Sequence, residues 1–503
     1  MAYVRTVETA SKAVAVQIVW SSRGGSRKIE HIGSAHDESG VESLKAVARQ
    51  RIASRQAELD LGLGDEPARA GHLPITSTRM AVLGDALAQV YAGLGFEQAA
   101  AGDEVFRALV LARIIEPTSK LDSLRVLAEA GLAAPSYRTV QRRLPHYSTE
   151  EFRAGLATAC ARHAALGPAS LVLYDVSTLY FETDTGDGFR EPGFSKERRL
   201  EPQITVGLLT DAAGMPLMVN GFEGNKAETK TMIPVLTAFQ KAHGLTGVTV
   251  VADAGMLSEK NLRDLEDAGF TFIVGGKIPR IPYVIEQWRT THPGQDLADQ
   301  QILTQDWPAG PTDTRQDQKL HYQYRADRAR RTLKGIDEQV AKAEKAVAGT
   351  TPVKRNRFVR LSGGERSVNR ELETKARALA GLKLYVTDLV DQPADFIIGA
   401  YHQLWRIEKA FRMSKHDLQA RPIYHHKRES IDAHLAIVFA ALAVTHQIQT
   451  ATGWSISRFV KTARRYRVIE IQAGDHTLTA ADPLPDDLRT AINAIHAGPS
   501  GAH

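Results

Sequence analysis

The 503 residues carry 63 Lys and Arg against 58 Asp and Glu, a formal charge of +5, so affinity for nucleic acid has to come from local patches and not from a basic whole. A single cysteine, Cys160, excludes an intramolecular disulfide and a cysteine-based zinc finger; in LATAC it reads as a small buried apolar residue. The composition is that of an ordinary globular protein, long enough for about two to four domains.

AVAVQIVW (13–20) and RKIEHIG (27–33) are strand-like, and SSRGGS between them is turn chemistry, so a β-hairpin is predicted, followed by a charged helix to about residue 60. A Gly/Pro-interrupted link, LGLGDEPARAGHLP, leads into an all-helical stretch over 75–165. There DEVFRALVLARII ends at Glu116-Pro117, SKLDSLRVLAEAG ends at Gly131, and SYRTVQRRL runs from a Ser136 cap to Pro145. The last helix carries Arg138, Arg142 and Arg143 after a short turn, a helix-turn-helix arrangement that would place three cations on DNA phosphates.

From residue 168 the pattern turns to strands: SLVLYDVSTLYFE, QITVGLLTD, MPLMVNGFEG, then a helix in ETKTMIPVLTAFQKAHG, then GVTVVADAG and FTFIVGGK. This predicts a mixed sheet with helices packed on it. Residues 281–380 interrupt it with loops, a long charged helix (DRARRTLKGIDEQVAKAEKAV) and the basic stretch VKRNRFVR, which either tracks phosphates or forms a solvated strand edge. KLYVTDLV (383–390) resumes the strand texture. The predicted segments are 1–60, 75–165, a sheet domain from 166–280 and 381–450, the insertion 281–380, and a C-terminal segment 451–503. No charged-then-apolar leader opens the sequence, and the longest apolar run, LAIVFAALAV (435–444), is too short for a bilayer, so the expected location is the cytoplasm, at the nucleoid.

YHQLWRIEKAFRMSK (401–415) has no Pro or Gly and reads as one helix. Ala400, Leu404, Ile407, Phe411 and Leu418 form its core stripe. Tyr401, Trp405, Glu408, Arg412 and Lys415, spaced 4, 3, 4, 3, fall within an arc of roughly 80° beside it. Ion pairs on a solvated face would explain the charges but not two exposed aromatics among them. Asp175 ends the apolar run LVLY and Asp253 ends VTVVA; either alone is an ordinary loop start, but neighbouring strands bring such ends together. With Glu408 from a helix packed along the sheet, three carboxylates can converge, and hard oxygen donors suit Mg²⁺ or Mn²⁺. Two such ions about 3.5–4 Å apart can clamp the attacking and leaving oxygens of a phosphodiester. Arg412 and Lys415 would then meet phosphates, and Tyr401 and Trp405 an unstacked base.

These blocks resemble the DDE transposases of bacterial insertion sequences, in the group with a Y-x2-R-x3-E-x6-K signature, the insertion sequence four family. DVSTLYFE is similar to the first-Asp strand, FSKERRLEPQITVGLLTDAAGMPL and GFEGNKAETKT to the stretch that follows, VVADAGMLSEKNL to the second-Asp block, and YHQLWRIEKAFRMSK with DLQARPIYHH to the Glu block. The resemblance spans about 165–445. It implies a ribonuclease H-like mixed-sheet catalytic domain, interrupted by a mostly β insertion in the 155-position interval from Asp253 to Glu408 and preceded by the helical DNA-binding region. It implies Asp175, Asp253 and Glu408 as ligands of two Mg²⁺ (or Mn²⁺) ions, cut-and-paste transposition, terminal inverted repeats and target DNA as partners, and a homodimer in the synaptic complex. The signature arginine position is Leu404 here; Arg406 lies beside it in sequence, while Arg412 shares the face of Glu408. A non-catalytic or domesticated DNA-binding relative and a stand-alone metal-dependent nuclease are the competing readings. The intact carboxylates oppose the first, and strand transfer separates the second.

Among the remaining signals, Asn225 and Glu228 in EGNKAE either line the site or cap a turn. Asp184 and Asp187 read as loop acids. His425, His426 and His434 form a weak metal candidate, since His434 fits a core helix.

Overall fold

The computed structural model describes residues 2–9, 13–21, 27–55, 73–167, 170–183, 185–193, 200–227, 230–245, 247–254, 258–311, 315–350, 356–362, 365–421, 423, 425–473 and 476–498. Two compact units divide the chain: Met1–His163, Leu179–Glu182 and Ala410–His503 form the first, Ala164–Thr178 and Thr183–Lys409 the second.

The first unit opens on an antiparallel sheet, β1 (Ala2–Glu8), β2 (Val14–Ser21) and β3 (Arg27–Ala35), covered by α1 (Glu38–Arg55) through Leu44 and Ala48 against Val16 and Ile18. The predicted hairpin is β2–β3. β1 has no apolar run to announce it because it is an edge strand whose residues are mostly exposed. After β4 (Ile75–Arg79) come six helices: α2 (Ala81–Gly93), α3 (Phe96–Ala99), α4 (Glu104–Ile115), α5 (Ser123–Ala130), α6 (Tyr137–Tyr147) and α7 (Glu150–His163). Asp103 caps α4 by accepting from the Phe106 N–H at 3.0 Å, and Ser136 caps α6 by accepting from that of Thr139 at 3.1 Å. Gly131 ends α5 at φ 72°, and a Cβ there would sit 2.1 Å from the Arg79 Cβ, so only glycine fits. One boundary differs from expectation: α6 continues through Pro145. A proline in the last turn removes little of the helix ladder. Tyr147 beyond it is buried against Phe106 and Phe152, its hydroxyl donating to Asp103 at 3.1 Å.

The second unit holds an eight-stranded mixed sheet. Its strands are β5 (Leu171–Tyr180, the last two residues of which belong to the first unit), β6 (Gln203–Asp211), β7 (Pro216–Glu223), β8 (Thr249–Ala252), β9 (Thr271–Gly276), β10 (Ile302–Trp307), β11 (Gln318–Tyr324) and β14 (Leu382–Thr387), in the order β10-β11-β14-β9-β8-β5-β6-β7. β5, β8 and β9 run parallel; β6–β7, β9–β14, β14–β11 and β11–β10 are antiparallel. α8 (Met232–His243) and α9 (Glu259–Asp267) precede and follow β8. The stretch 281–380 contributes α10 (Tyr283–Thr291), α11 (Ala326–Val347) and α12 (Arg370–Ala378), the hairpin β12 (Val359–Ser362) with β13 (Glu365–Val368), and β10 and β11. It is therefore mainly helical where the resemblance implied mostly β, and two of its strands extend the large sheet. α13 (Ala394–His402), α14 (Leu404–Arg412) and a π-helical turn, Met413–Asp417, follow β14.

Asp388, one residue past β14, is 8% exposed; its Oδ1 accepts from the Phe272 N–H at 2.8 Å, and its Oδ2 has no partner among the described residues. Burial, with Glu266 adding to it, pushes this carboxyl up to about 7. Its folded pKa lies above the unfolded 3.8, so the stabilisation it provides is complete below about pH 4 and is lost as pH rises through 7. At about 1.4 kcal/mol for each tenfold change in proton affinity, the effect is on the order of a few kcal/mol. Asp388→Asn keeps the acceptor and should melt higher than the parent at pH 8, with a flatter melting temperature between pH 4 and 8.

From Ala410, near the end of α14, the chain is back in the first unit, which continues with α15 (Arg428–Thr452), α16 (Ile456–Ala463), β15 (Val468–Ala473), β16 (His476–Ala481) and α17 (Asp486–Ala497). β15 pairs with both β16 and β4, and α15 packs on α2, α4, α6, α7 and α17. By length and composition α15 could cross a membrane, but 83% of its most apolar window is buried, and it serves as the core helix of this unit. Residues 410–450, expected in the sheet domain, thus pack with the N-terminal helices.

Candidate active site

Asp175 lies inside β5, and Asp253 directly follows β8. These parallel strands pair Leu171 with Thr249 through Tyr174 with Ala252. The ladder ends there, one residue before each aspartate; continued by one step, the same register would bring Asp175 opposite Asp253, with backbones about 4.8 Å apart. On the other side of β8 the ladder ends with Ala252 paired to Val274, the residues before Asp253 and Gly275. A buried apolar strand thus delivers each carboxylate to one end of the parallel core, and Asp253 is exposed there.

Glu408 is exposed in the middle of α14, whose Leu404 and Ile407 are buried as the stripe predicted; Ala400 and Leu418 are buried and Phe411 half-buried. The expected single helix is broken, however. α13 stops at His402, Gln403 is a turn residue, α14 starts at Leu404, and past Arg412 the backbone widens into the π-helical turn, where the Leu418 N–H donates to the Met413 carbonyl. Trp405, Glu408 and Arg412 stay on one α-helical face. Lys415 lies half-buried in the π turn.

Tyr401 requires a correction. The helical spacing predicts an exposed ring for a base to stack on, but Tyr401 is 4% exposed, because it belongs to the buried face of α13 with Ile397, Ile398 and Ala400. Its hydroxyl donates to Asp253 Oδ1 at 2.5 Å. Lys383 Nζ lies 4.0 Å from its ring centre, and Tyr385 meets it edge-on at 5.0 Å. Burial, and then the hydrogen bond to Asp253, hold the Tyr401 phenol well above its ordinary range, so it is a fixed donor. Gly275 makes room for it: a Cβ there would lie 2.6 Å from the hydroxyl oxygen. Lys383, which no sequence pattern marked, is half-buried at the start of β14. Burial lowers its pKa, while Asp253 and Glu408 both pull it back up, so one ammonium feels two of the three predicted carboxylates.

Among the described residues no three His, Cys, Asp or Glu side chains are close enough to hold an ion as they stand. The donor set nevertheless suits a hard divalent cation: Asp175 within β5 and Asp253 just past β8 lie on neighbouring parallel strands, and Glu408 shares with Asp253 the field that draws Lys383.

Trp405 is 53% exposed, and the Arg406 guanidinium lies 5.1 Å from its ring centre. Arg406 also donates to Gln403 Oε1 at 2.7 Å and to the Ala213 carbonyl at 3.2 Å, so it ties α14 to the β6–β7 turn. Arg412, exposed at the end of α14, makes no such tie among the described residues. Trp405→Ala should leave the melting temperature nearly unchanged, whereas Ile407→Ala, wholly buried on the opposite stripe, should cost about 2–5 kcal/mol. Equal losses in calorimetry would put Trp405 in the core.

The other candidates sort simply. Arg138 and Arg142 are exposed on α6; Arg143, also exposed, lies 3.6 Å from Asp103. Asn225 is exposed, and Glu228 and Asp184 lie outside the described residues. Asp187 accepts from the backbone N–H groups of Phe189 and Arg190 and pairs with the Arg190 side chain, a loop acid as expected. Of VKRNRFVR, residues 353–355 lie outside the described set; Phe358 is wholly buried with Ile336, Val340 and Ala343, so this aromatic is core. His434 is buried, bonded through Nε2 to the Ala420 carbonyl at 3.1 Å.

A family model described as transposase DDE domain matches residues 166–444. A solved structure, the cryo-EM structure of a piggyBac transposase synaptic complex with hairpin DNA, is similar over 75% of this chain and 70% of that chain, at 10% identity and a TM-score of 0.39, too distant to carry an argument. No curated protein matches the chain. The family model spans more than half of the sequence and takes in Asp175, Asp253 and Glu408, and the chain accordingly belongs to the transposase DDE domain family.

Proposed function

We propose that this DDE transposase moves an insertion sequence of the insertion sequence four type by cut-and-paste, with Asp175, Asp253 and Glu408 as its catalytic carboxylates. The observation that supports the reading is the parallel register that pairs Tyr174 with Ala252, the residues just before Asp175 and Asp253, with Asp253 tied to the helix pair that bears Glu408 through the Tyr401 hydroxyl. The strand order β7-β6-β5-β8-β9, with the two aspartates on the central parallel pair, supports a ribonuclease H-like core.

The three carboxylates would hold two Mg²⁺ or Mn²⁺ ions, which when bound neutralise charge on the attacking and leaving oxygens of a phosphodiester. The chain's own groups do the rest. Tyr401 fixes the orientation of Asp253. Lys383 balances the carboxylates until a cation replaces its influence. Arg412 and Lys415 hold neighbouring phosphates, and Trp405 offers its exposed face to a base, a stack worth about 1–3 kcal/mol. Arg138, Arg142 and Arg143 on α6 bind the terminal inverted repeats by phosphate contact. The protein acts on nucleoid DNA in the cytoplasm, and a homodimer pairs the two ends.

The test is incubation of the purified chain with Mg²⁺ and a duplex bearing the inverted repeats that bound its gene. Cut ends and their joining to a second duplex are expected. Cleavage without joining would make it a nuclease, and binding without cleavage a non-catalytic relative.

A further inference from the structure

Within the second unit, several cations gather at the end of the large sheet where Asp253 emerges. Lys383, the second residue of β14, pairs with Gln323 of β11, and Tyr385, two residues on, pairs with Gly275 of β9. Side chains two apart on a strand share a face, so Lys383 lies on the Tyr385 face, the one that Tyr401 covers. Arg325 directly follows β11 and stays extended, at φ −133° and ψ 120°. Its N–H donates to the Gly381 carbonyl at 3.0 Å, one more rung of the β11–β14 ladder. Two residues past Gln323, Arg325 shares the face of Lys383. Arg328, in the first turn of α11, donates to the same carbonyl at 3.4 Å.

On the other side of β14, β9 runs out into KIPRIPY (277–283). Lys277, Arg280 and Tyr283 recur there every three residues and all are exposed, Tyr283 by 69%. Ile278 and Ile281 between them are half-buried, so the loop turns its charged side outward. Lys383, Arg325 and Arg328 are half-buried and still reach solvent. Among the described residues no Asp or Glu lies within ion-pairing distance of these five cations. Asp327 pairs with Arg330 instead, and Asp299 accepts from the Ala326 N–H at 2.7 Å. The ends of β9, β14 and β11 are neighbours at about 4.8 Å a step, so they spread positive charge over about 10 Å. That span matches about three phosphates at roughly 3.4 Å of duplex axis each. Unpaired cations in a row, open to solvent and flanked by an exposed ring, suit a surface that follows a nucleic-acid backbone.

We infer that the ends of β9, β14 and β11, with the start of α11, form a track for a DNA backbone leading away from Asp253, in which Lys277, Arg280, Lys383, Arg325 and Arg328 contact phosphates. The choice of DNA as the partner rests on the transposase reading; the row of unpaired cations does not.

The experiment measures binding of the full chain to a short random-sequence duplex between about 50 and 200 mM salt, without divalent cations, so that no cleavage intervenes. Arg280→Gln and Arg325→Gln should each reduce the slope of log affinity against log salt by about one and weaken binding several-fold at low salt, while melting with the parent. Arg325→Lys, which keeps the charge, should keep the parental slope. Lys260→Gln, which removes an exposed cation of α9 already paired with Asp264, should change neither slope nor affinity. Parental slopes in both glutamine variants would overturn the track. A lower melting temperature of Arg325→Gln beside a parental slope for Arg280→Gln would make the cations structural, and an equal loss from Lys260→Gln would reduce the effect to bulk surface charge. Slopes that change on an RNA duplex of the same sequence and not on DNA would overturn DNA as the partner. Failure of the transposase reading would show separately, in a chain that never cleaves yet keeps the variant-sensitive slope.

Discussion

Asp253→Asn should abolish strand cleavage, by several orders of magnitude, and leave folding and DNA binding close to those of the parent. The amide keeps an oxygen where Tyr401 donates, so the buried phenol retains its acceptor, but the negative charge and one cation ligand are gone. Asp253→Ala should lose cleavage equally and also cost about 1–3 kcal/mol, the penalty of leaving the Tyr401 hydroxyl without a partner. Asp175→Asn and Glu408→Gln should match Asp253→Asn in cleavage. Measuring cleavage, duplex affinity and melting on the four variants separates chemistry from packing. Normal cutting by any one of them removes that residue from the catalytic set.

The second large effect concerns Gly275→Ala. The added Cβ would sit 2.6 Å from the Tyr401 hydroxyl oxygen and 3.1 Å from two ring carbons, inside a strand hydrogen-bonded on both edges, so the tyrosine has to move. Overpacking of this kind costs about 1–3 kcal/mol. Because the displaced hydroxyl is the one that orients Asp253, cleavage should fall further than the loss of stability alone would make it. Tyr401→Phe removes the oxygen the new methyl meets. The double variant should therefore be less destabilised than the sum of the two single changes, a coupling that a melting experiment on all four chains reads directly. Additive losses would mean that Gly275 and Tyr401 do not constrain each other.

Local physics made a good part of this fold legible. Asp103, Ser136 and Gly131 cap or stop their helices through contacts within a few residues, and buried strands such as VTVV and LVLY announce themselves by apolar content. Asp175 and Asp253 stood out because each ends such a run. What escaped depends on partners distant in sequence. Tyr401 has suitable spacing for the Glu408 face, yet the break at Gln403 hands it to α13, and its acceptor lies 148 residues earlier. β10 and β11 have no strong strand pattern of their own and are recruited by the free edge of β14. Arg325 and Lys383 lie on different strands, and neither looks unusual until β11 pairs with β14. His434 was legible as core because its helix is apolar on nearly every side.

The return of the chain to its own first unit affects how the protein is made. α15 begins roughly 280 residues after α6 ends, and it supplies the apolar surface on which α2, α4, α6 and α7 rest. At about 5–20 residues per second, a ribosome needs roughly fifteen to sixty seconds to deliver it. Throughout that interval α2, α4, α6 and α7 pack on one another but lack the long apolar partner that completes their core. A prematurely ended polypeptide therefore exposes the apolar faces that α15 covers.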